Sequence, residues 1–279
     1  MTVLAHEAQR HEPPESTDEL ESFRPTGPIV YLIPALNEAE NLPRLFADLE
    51  AHGSLVPPTS RVIVIDDGST DDTSDLVRSY RGKLPLRLIR FDENRGPGAA
   101  FRAGFEAALD HCPIEGLVVT LEADTTSDLD SLPRMLAHAS ADADLVLASV
   151  HGGGHMHNVS ALRRAMSMGA SWLVRSMLGI DAQTVSSFFR VYRVSLLRAA
   201  IEHYGDELIR EHGFACKAEL LVKLSALHAR VIEVPVDLDA SRRIGKSRMK
   251  VGPTMMAYGR LMLRRPDSTV DVDNELARA

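Results

Sequence analysis

Apolar positions along the chain fall into two rhythms. Short, mainly apolar segments occupy 29–33, 61–65, 86–91, 116–121 and 144–148, with β-branched residues frequent among them. Segments of that length and composition predict β-strands. Between them the pattern turns helical. Asn37 is placed to cap a helix reaching to about Glu50. Gly68, Ser69 and Thr70 turn into a helix with acids in its first turn, and Gly96 to Gly98 lead into a helix over 99–109. Strands spaced by helices imply right-handed crossovers, an α/β class and a largely parallel sheet. Ligands of such sheets sit at the carboxyl ends of the strands.

The second half is less regular. A Gly/His-rich loop covers 151–158, a helical stretch 160–178, a strand 187–194, a helix 215–228 and a further strand 231–236. This half is expected to complete the same domain and to form its acceptor side. Residues 1–26 are polar, charged and proline-containing, and read as a disordered arm; the tail from Pro266 reads the same way.

Composition narrows the function classes. At 279 residues and 44% hydrophobic content, a core without staples is expected. Two cysteines, Cys112 and Cys216, argue against a disulfide scaffold and fit a reducing cytoplasm. The net charge of −8 argues against nucleic-acid binding. No apolar run approaches the roughly 20 residues of a membrane-spanning helix, and the N-terminus has no signal-peptide pattern. Residues 249–265 mix methionine, leucine and arginine, a pattern that either packs on the body or lies on an anionic lipid surface.

Three segments carry candidate chemistry. Asp66 and Asp67 end the second strand, where a carboxylate can accept from a base or ribose; helix capping is the plainer use of those acids alone. Glu122, Ala123 and Asp124 follow the fourth strand, and residues i and i+2 of extended chain share a face. Two carboxylates side by side repel, and a hard divalent cation relieves that repulsion while bridging to a diphosphate. In the second half Arg163, Ser167, Arg190, Arg242, Lys246 and Arg248 supply groups suited to phosphate oxygens. Asn94 to Gly98 is expected to be a simple turn, since Pro97 removes one amide donor. His151, His155 and His157 lack a supporting carboxylate in sequence and make a poor metal cage. Asp181 is the candidate base if the acceptor is a hydroxyl.

In order and spacing the chain resembles family 2 glycosyltransferases of the GT-A fold, and within them dolichol-phosphate and polyprenol-phosphate mannose synthases. The resemblance rests on Ile33-Pro-Ala-Leu-Asn-Glu38, Val64-Ile-Asp-Asp-Gly-Ser69, Asn94 to Gly98 with Gly104, Glu122 to Asp124, Ser187-Phe-Phe-Arg190, Glu233-Val-Pro235 and Arg242 to Arg248. It implies a Rossmann-like, mainly parallel sheet in a domain over 27–265, with a nucleotide-sugar half (27–150) and an acceptor half (151–265). It implies that Pro34, Ala35, Asn37, Glu38, Asp66, Asp67, Gly98, Glu122 and Ala123 hold the nucleotide. Glu122, Asp124 and Thr126 would hold Mg2+ or Mn2+, and Arg163, Ser167 and Arg190 would face the acceptor. Asp124, Arg242, Arg248 and Asp181 would serve the reaction. Departures from the family pattern are Glu122 for the first Asp, Thr126 for Gln, Val150 for Arg, Phe188 for Gly and Arg248 for Lys. The implied activity is inverting hexosyl transfer from GDP-mannose or a UDP-sugar to a polyprenyl phosphate-type acceptor. Readings kept beside it are a hydroxyl acceptor in specialised-metabolite or cell-envelope biosynthesis, and a non-catalytic nucleotide-sugar-binding protein. The implied location is cytoplasmic, with peripheral contact at the inner membrane face; a homodimer is left open.

Overall fold

The computed structural model describes residues 23, 25, 27–141, 143–151, 153–159, 168–169, 171, 182–185, 187–245 and 251–263. Most of the arm, the tail, most of 160–178, and Arg163, Ser167, Asp181, Lys246 and Arg248 lie outside the described residues.

Strands β1 (Ile29–Ala35), β2 (Arg61–Asp66), β3 (Leu86–Arg90), β4 (Leu117–Thr120), β5 (Leu145–Ser149), β7 (Arg190–Arg193) and β8 (Val231–Pro235) form a seven-stranded sheet in the order β3-β2-β1-β4-β7-β5-β8. A two-stranded ribbon joins β6 (Met156–His157) to β9 (Leu238–Asp239). Among the described residues, helices run over α1 (Leu42–Ala51), α2 (Thr73–Ser79), α3 (Pro97–Leu109), α4 (Leu132–Ala141), α5 (Val194–Tyr204), α6 (Cys216–Ala226) and α7 (Val251–Leu263), and residues 168, 169 and 171 are helical as well.

β1 shows why the apolar runs become inner strands. Val30 and Leu32 enter a core with α3, α5, α6 and α7, through Phe101, Phe105, Leu197, Leu221 and Tyr258. Ile29, Tyr31 and Ile33 enter the opposite core with Leu42, Phe46 and Leu49 of α1 and Met135 of α4. A strand apolar at every position thus has both faces buried, each such side chain contributing about 1.5–3 kcal/mol. α1 meets the sheet through Leu42, Leu45, Phe46 and Leu49, the three–four spacing of one helix face.

The expected mainly parallel sheet is borne out, with one antiparallel strand, and one expectation needs correction. The antiparallel strand is β7, which runs against both β4 and β5. Strand direction depends on how the 150–189 connection returns, which the local pattern does not encode. Asn37 does not cap α1, which begins at Leu42 after Asn41 with Pro43 in its first turn. Asn37 has φ 52° and turns its carboxamide onto the neighbouring loop instead, where Oδ1 accepts from the Thr70 amide at 2.7 Å.

Gly98 opens α3 against the 211–212 backbone: its amide donates to the His212 carbonyl at 2.9 Å, and a Cβ there would lie 2.0 Å from the Glu211 oxygen. Gly98→Ala is therefore expected to destabilise the fold by about 1–3 kcal/mol, read as a lower denaturant midpoint. An unchanged midpoint would contradict this packing role.

Candidate active site

β1, β2 and β4 run side by side in parallel, so their carboxyl ends share one edge; Ala35 is in register with Asp66, and Leu32 with Thr120. The loops after β1 and β2 knit together. The Asp67 amide donates to the Ala35 carbonyl at 2.8 Å, the Asn37 amide to Ser69 Oγ at 2.8 Å, and the Glu38 amide to Thr73 Oγ1 at 2.9 Å. Glu38 also accepts from Asn41 Nδ2 at 2.7 Å. Pro34, Ala35, Asn37 and Glu38 are thereby brought to the rim beside Asp67.

The two aspartates differ from what their sequence position suggests. Asp66 is fully buried, and its carboxylate is occupied by the Ser69 amide at 2.8 Å and the Ser74 hydroxyl. It ties the loop rather than facing a ligand. Asp67 receives the amides of Arg95 (2.7 Å) and Gly96 (2.9 Å), which fixes the 94–98 turn. Burial, with Asp66 adding to it, pushes the Asp67 carboxyl above its ordinary value. Gly98 faces the 211–212 backbone, so its amide is not turned to a phosphate.

The acidic motif after β4 leaves extended geometry at Ala123, which packs with Leu121 into the α1-side core. Glu122 and Asp124 remain close enough to feel each other. Burial first, then the Asp124 charge, raise the Glu122 carboxyl above its usual range. Glu122 accepts from the Ser127 hydroxyl and from the Phe188 amide at 3.2 Å. Asp124 Oδ1 accepts from the Thr126 amide at 3.1 Å and hydroxyl at 2.6 Å. Thr126 thus orients Asp124 with the hydroxyl that was expected on a metal. Between them Thr125 sits at φ 62°, an outlier for a β-branched residue, with its hydroxyl on the Arg242 carbonyl at 3.1 Å. Such strain concentrates where side chains are held for chemistry.

Arg242 was expected over the diphosphate, but its guanidinium pairs with Asp48 of α1 at 2.7 Å. Its neighbour Arg243, missed in the sequence, reaches Asp124 Oδ2 through Nε at 2.6 Å and through a second guanidinium nitrogen. Successive side chains of the 240–242 turn and its exit point in different directions, so of two adjacent arginines only one meets the carboxylate. Arg190 is also corrected. It is 1% exposed and donates to the carbonyls of Ser187 (2.9 Å), Lys217 (3.0 Å) and Val185 (3.0 Å), leaving no surface for an acceptor.

The histidine loop gains a carboxylate from the connection between β8 and β9: Asp237 contacts His155 at 3.2 Å and His157 at 3.5 Å. Even so, no His/Cys/Asp/Glu group among the described residues has a three-ligand metal arrangement.

The donor set after β4 fits a divalent ion bound with a diphosphate. Asp124 already accommodates a cationic group on Oδ2, and Glu122 stands beside it. Mg2+-type sites use one or two carboxylates and take remaining ligands from phosphate and water.

The family model for glycosyl transferase family 2 matches residues 31–200. The chain belongs to glycosyl transferase family 2. Curated relatives agree: it is 30% identical over 226 residues to an undecaprenyl-phosphate mannosyltransferase of Micrococcus luteus, covering 80% of this chain and 88% of that one. It is 29% identical over 231 residues to a polyprenol monophosphomannose synthase of Mycolicibacterium smegmatis, covering 82% and 83%. In fold it is similar to glucosyl-3-phosphoglycerate synthase of Mycobacterium tuberculosis, solved with Mn2+ and UDP-glucose, at TM-score 0.61, 19% identity and coverage of 92% and 86%. The chain is a glycosyltransferase with a single GT-A domain and a mainly parallel central sheet flanked by helices.

Proposed function

We propose that this glycosyltransferase moves a hexose, with inversion, from a nucleotide-diphosphate sugar to a polyprenyl phosphate-type acceptor, using Mg2+ or Mn2+. The observation that carries the reading is the placement of Glu122 and Asp124 at the carboxyl end of β4, beside the joined loops of β1 and β2. Similarity to polyprenyl-phosphate transferases over most of their length supports the acceptor class. GDP-mannose and UDP-sugars are the donor candidates.

In this reading the 27–150 half receives the donor. Pro34, Ala35, Asn37, Glu38 and Asp67 line the nucleoside side, and Glu122 and Asp124 would hold the ion. A bound Mg2+ or Mn2+ supplies Lewis-acid stabilisation of charge on the departing diphosphate. An acceptor phosphate oxygen attacks the anomeric carbon. The bond from that carbon to the diphosphate oxygen breaks, and the nucleoside diphosphate leaves with the electron pair. A phosphate monoester has a second pKa of about 6 and is already a dianion at neutral pH, so no strong base is required. The acceptor half, 151–265, includes Arg163, Ser167, Asp181 and Arg248.

Peripheral contact with the cytoplasmic membrane face belongs to the same proposal. α7 buries Thr254, Ala257, Tyr258 and Leu261 against the body and leaves Met255 and Met256 exposed, the latter 68%. Ile244 is exposed too. No described helix is long and apolar enough to cross a membrane. Apolar side chains with flanking arginines suit the headgroup boundary where a lipid phosphate is presented.

The test is transfer from GDP-mannose, UDP-glucose and UDP-N-acetylglucosamine to short polyprenyl phosphates, with Mn2+ and with EDTA. The expected result is one donor turned over to a polyprenyl-phosphate sugar, with activity lost in EDTA. Transfer confined to hydroxyl acceptors would reject the acceptor class.

A further inference from the structure

The carboxylate assigned to the metal is already occupied by a cation from the chain itself. Arg243 lies in a short segment fixed on both sides. The Arg242 carbonyl accepts from Thr125 Oγ1 at 3.1 Å and from Arg44 at 3.3 Å, and the Arg242 side chain is held by Asp48 at 2.7 Å. On the other side Ile244 exchanges two hydrogen bonds with Asn41: its amide donates to Oδ1 at 2.9 Å and its carbonyl accepts from Nδ2 at 3.1 Å. Gly245, at φ 88°, follows at once and gives the strap a left-handed turn. With both neighbours tethered, the guanidinium is aimed at Asp124 Oδ2 and binds it through two nitrogens.

Two guanidinium nitrogens already sit on Asp124 Oδ2, so a hard divalent ion at that oxygen competes with them, the two positive groups repelling at contact distance. Arginine stays protonated at all relevant pH values, so it cannot yield by losing its charge. It yields when offered a better anion, and a nucleoside diphosphate is a planar-fork match for it.

We propose that Arg243 is a displaceable internal plug of the acidic site, which couples metal entry to arrival of the donor diphosphate. Without nucleotide, Arg243 neutralises Asp124 and holds divalent-metal affinity down. With nucleotide, the guanidinium transfers to diphosphate oxygens and Asp124 is released to the ion. Metal and nucleotide then each strengthen the binding of the other, as linkage requires. The inference rests on the reading of Asp124 as a metal ligand.

The experiment is Mn2+ titration of the full chain, following the free-ion electron paramagnetic resonance signal, with no nucleotide, with GDP and with UDP. Wild type is expected to bind Mn2+ weakly alone and about tenfold or more tightly with one of the two nucleotides, within the usual range of coupling. Arg243→Gln is expected to bind Mn2+ about tenfold more tightly than wild type without nucleotide and to lose most of the nucleotide dependence. Arg243→Lys, which keeps the charge without the fork, is expected to fall between them, and thermal melting of each variant verifies the fold. Equal Mn2+ affinity for wild type and Arg243→Gln without nucleotide, with Asp124→Asn abolishing binding in both, would overturn the plug and leave the metal site standing. Binding that survives Asp124→Asn in the Arg243→Gln background would overturn the plug and the metal site together.

Discussion

Asp124→Asn is expected to lower sugar transfer on the order of a thousandfold, the scale of removing a group that stabilises leaving-group charge. The substitution keeps the shape of the side chain. Oδ1 can still accept from the Thr126 amide and hydroxyl, which now bond it at 3.1 Å and 2.6 Å. What is lost is the negative charge presented on Oδ2, the atom that binds Arg243. Steady-state transfer with the preferred donor, beside a circular-dichroism melt, separates chemistry from folding. Full activity in a folded Asp124→Asn protein would remove Asp124 from the site.

The largest stability effect is expected at Arg190. Its guanidinium is buried and closes three backbone carbonyls, those of Val185, Ser187 and Lys217. Arg190→Ala removes the donor those three acceptors share and opens a cavity beside Tyr192 and Cys216, which line one small pocket with Arg190. The cost is about 3–5 kcal/mol, the range for deleting one member of a buried polar network. Chemical denaturation of the purified variant reads this directly. Arg190→Lys should recover only part of the loss, because one ammonium cannot span three carbonyls in a plane. The same segment presents the Phe188 amide to Glu122, so activity is expected to fall with stability. An Arg190→Ala protein of unchanged stability but raised acceptor KM would restore the acceptor-binding role.

The sheet was legible because its inner strands are covered on both faces and so must be apolar throughout. β1, β2, β4 and β5 were located to within a residue or two on that ground alone. The edge strand β3 was also located, and its Arg87 and Arg90 are exposed. The direction of β7 was not legible: nothing in Arg190–Arg193 distinguishes a parallel from an antiparallel strand, and β7 pairs antiparallel with β4 and β5. Local polar chemistry was the harder part. Asn37 is a helix-capping residue type, yet a left-handed backbone turns it to the 69–71 loop. An arginine in sequence suggests surface or phosphate, and nothing nearby announces that Arg190 closes carbonyls contributed from α6 and the 185–187 segment. Choosing between Arg242 and Arg243 needed the path of the backbone, since the charge pattern is the same for both.

A crystal of the full chain soaked with Mn2+ and GDP or UDP, recorded at a wavelength where manganese scatters anomalously, tests the central claim most directly. One anomalous peak is predicted at about 2.2 Å from an Asp124 oxygen, touching the diphosphate at the ends of β1, β2 and β4. A diphosphate bound with its manganese away from Asp124, or seated elsewhere on the protein, would contradict it.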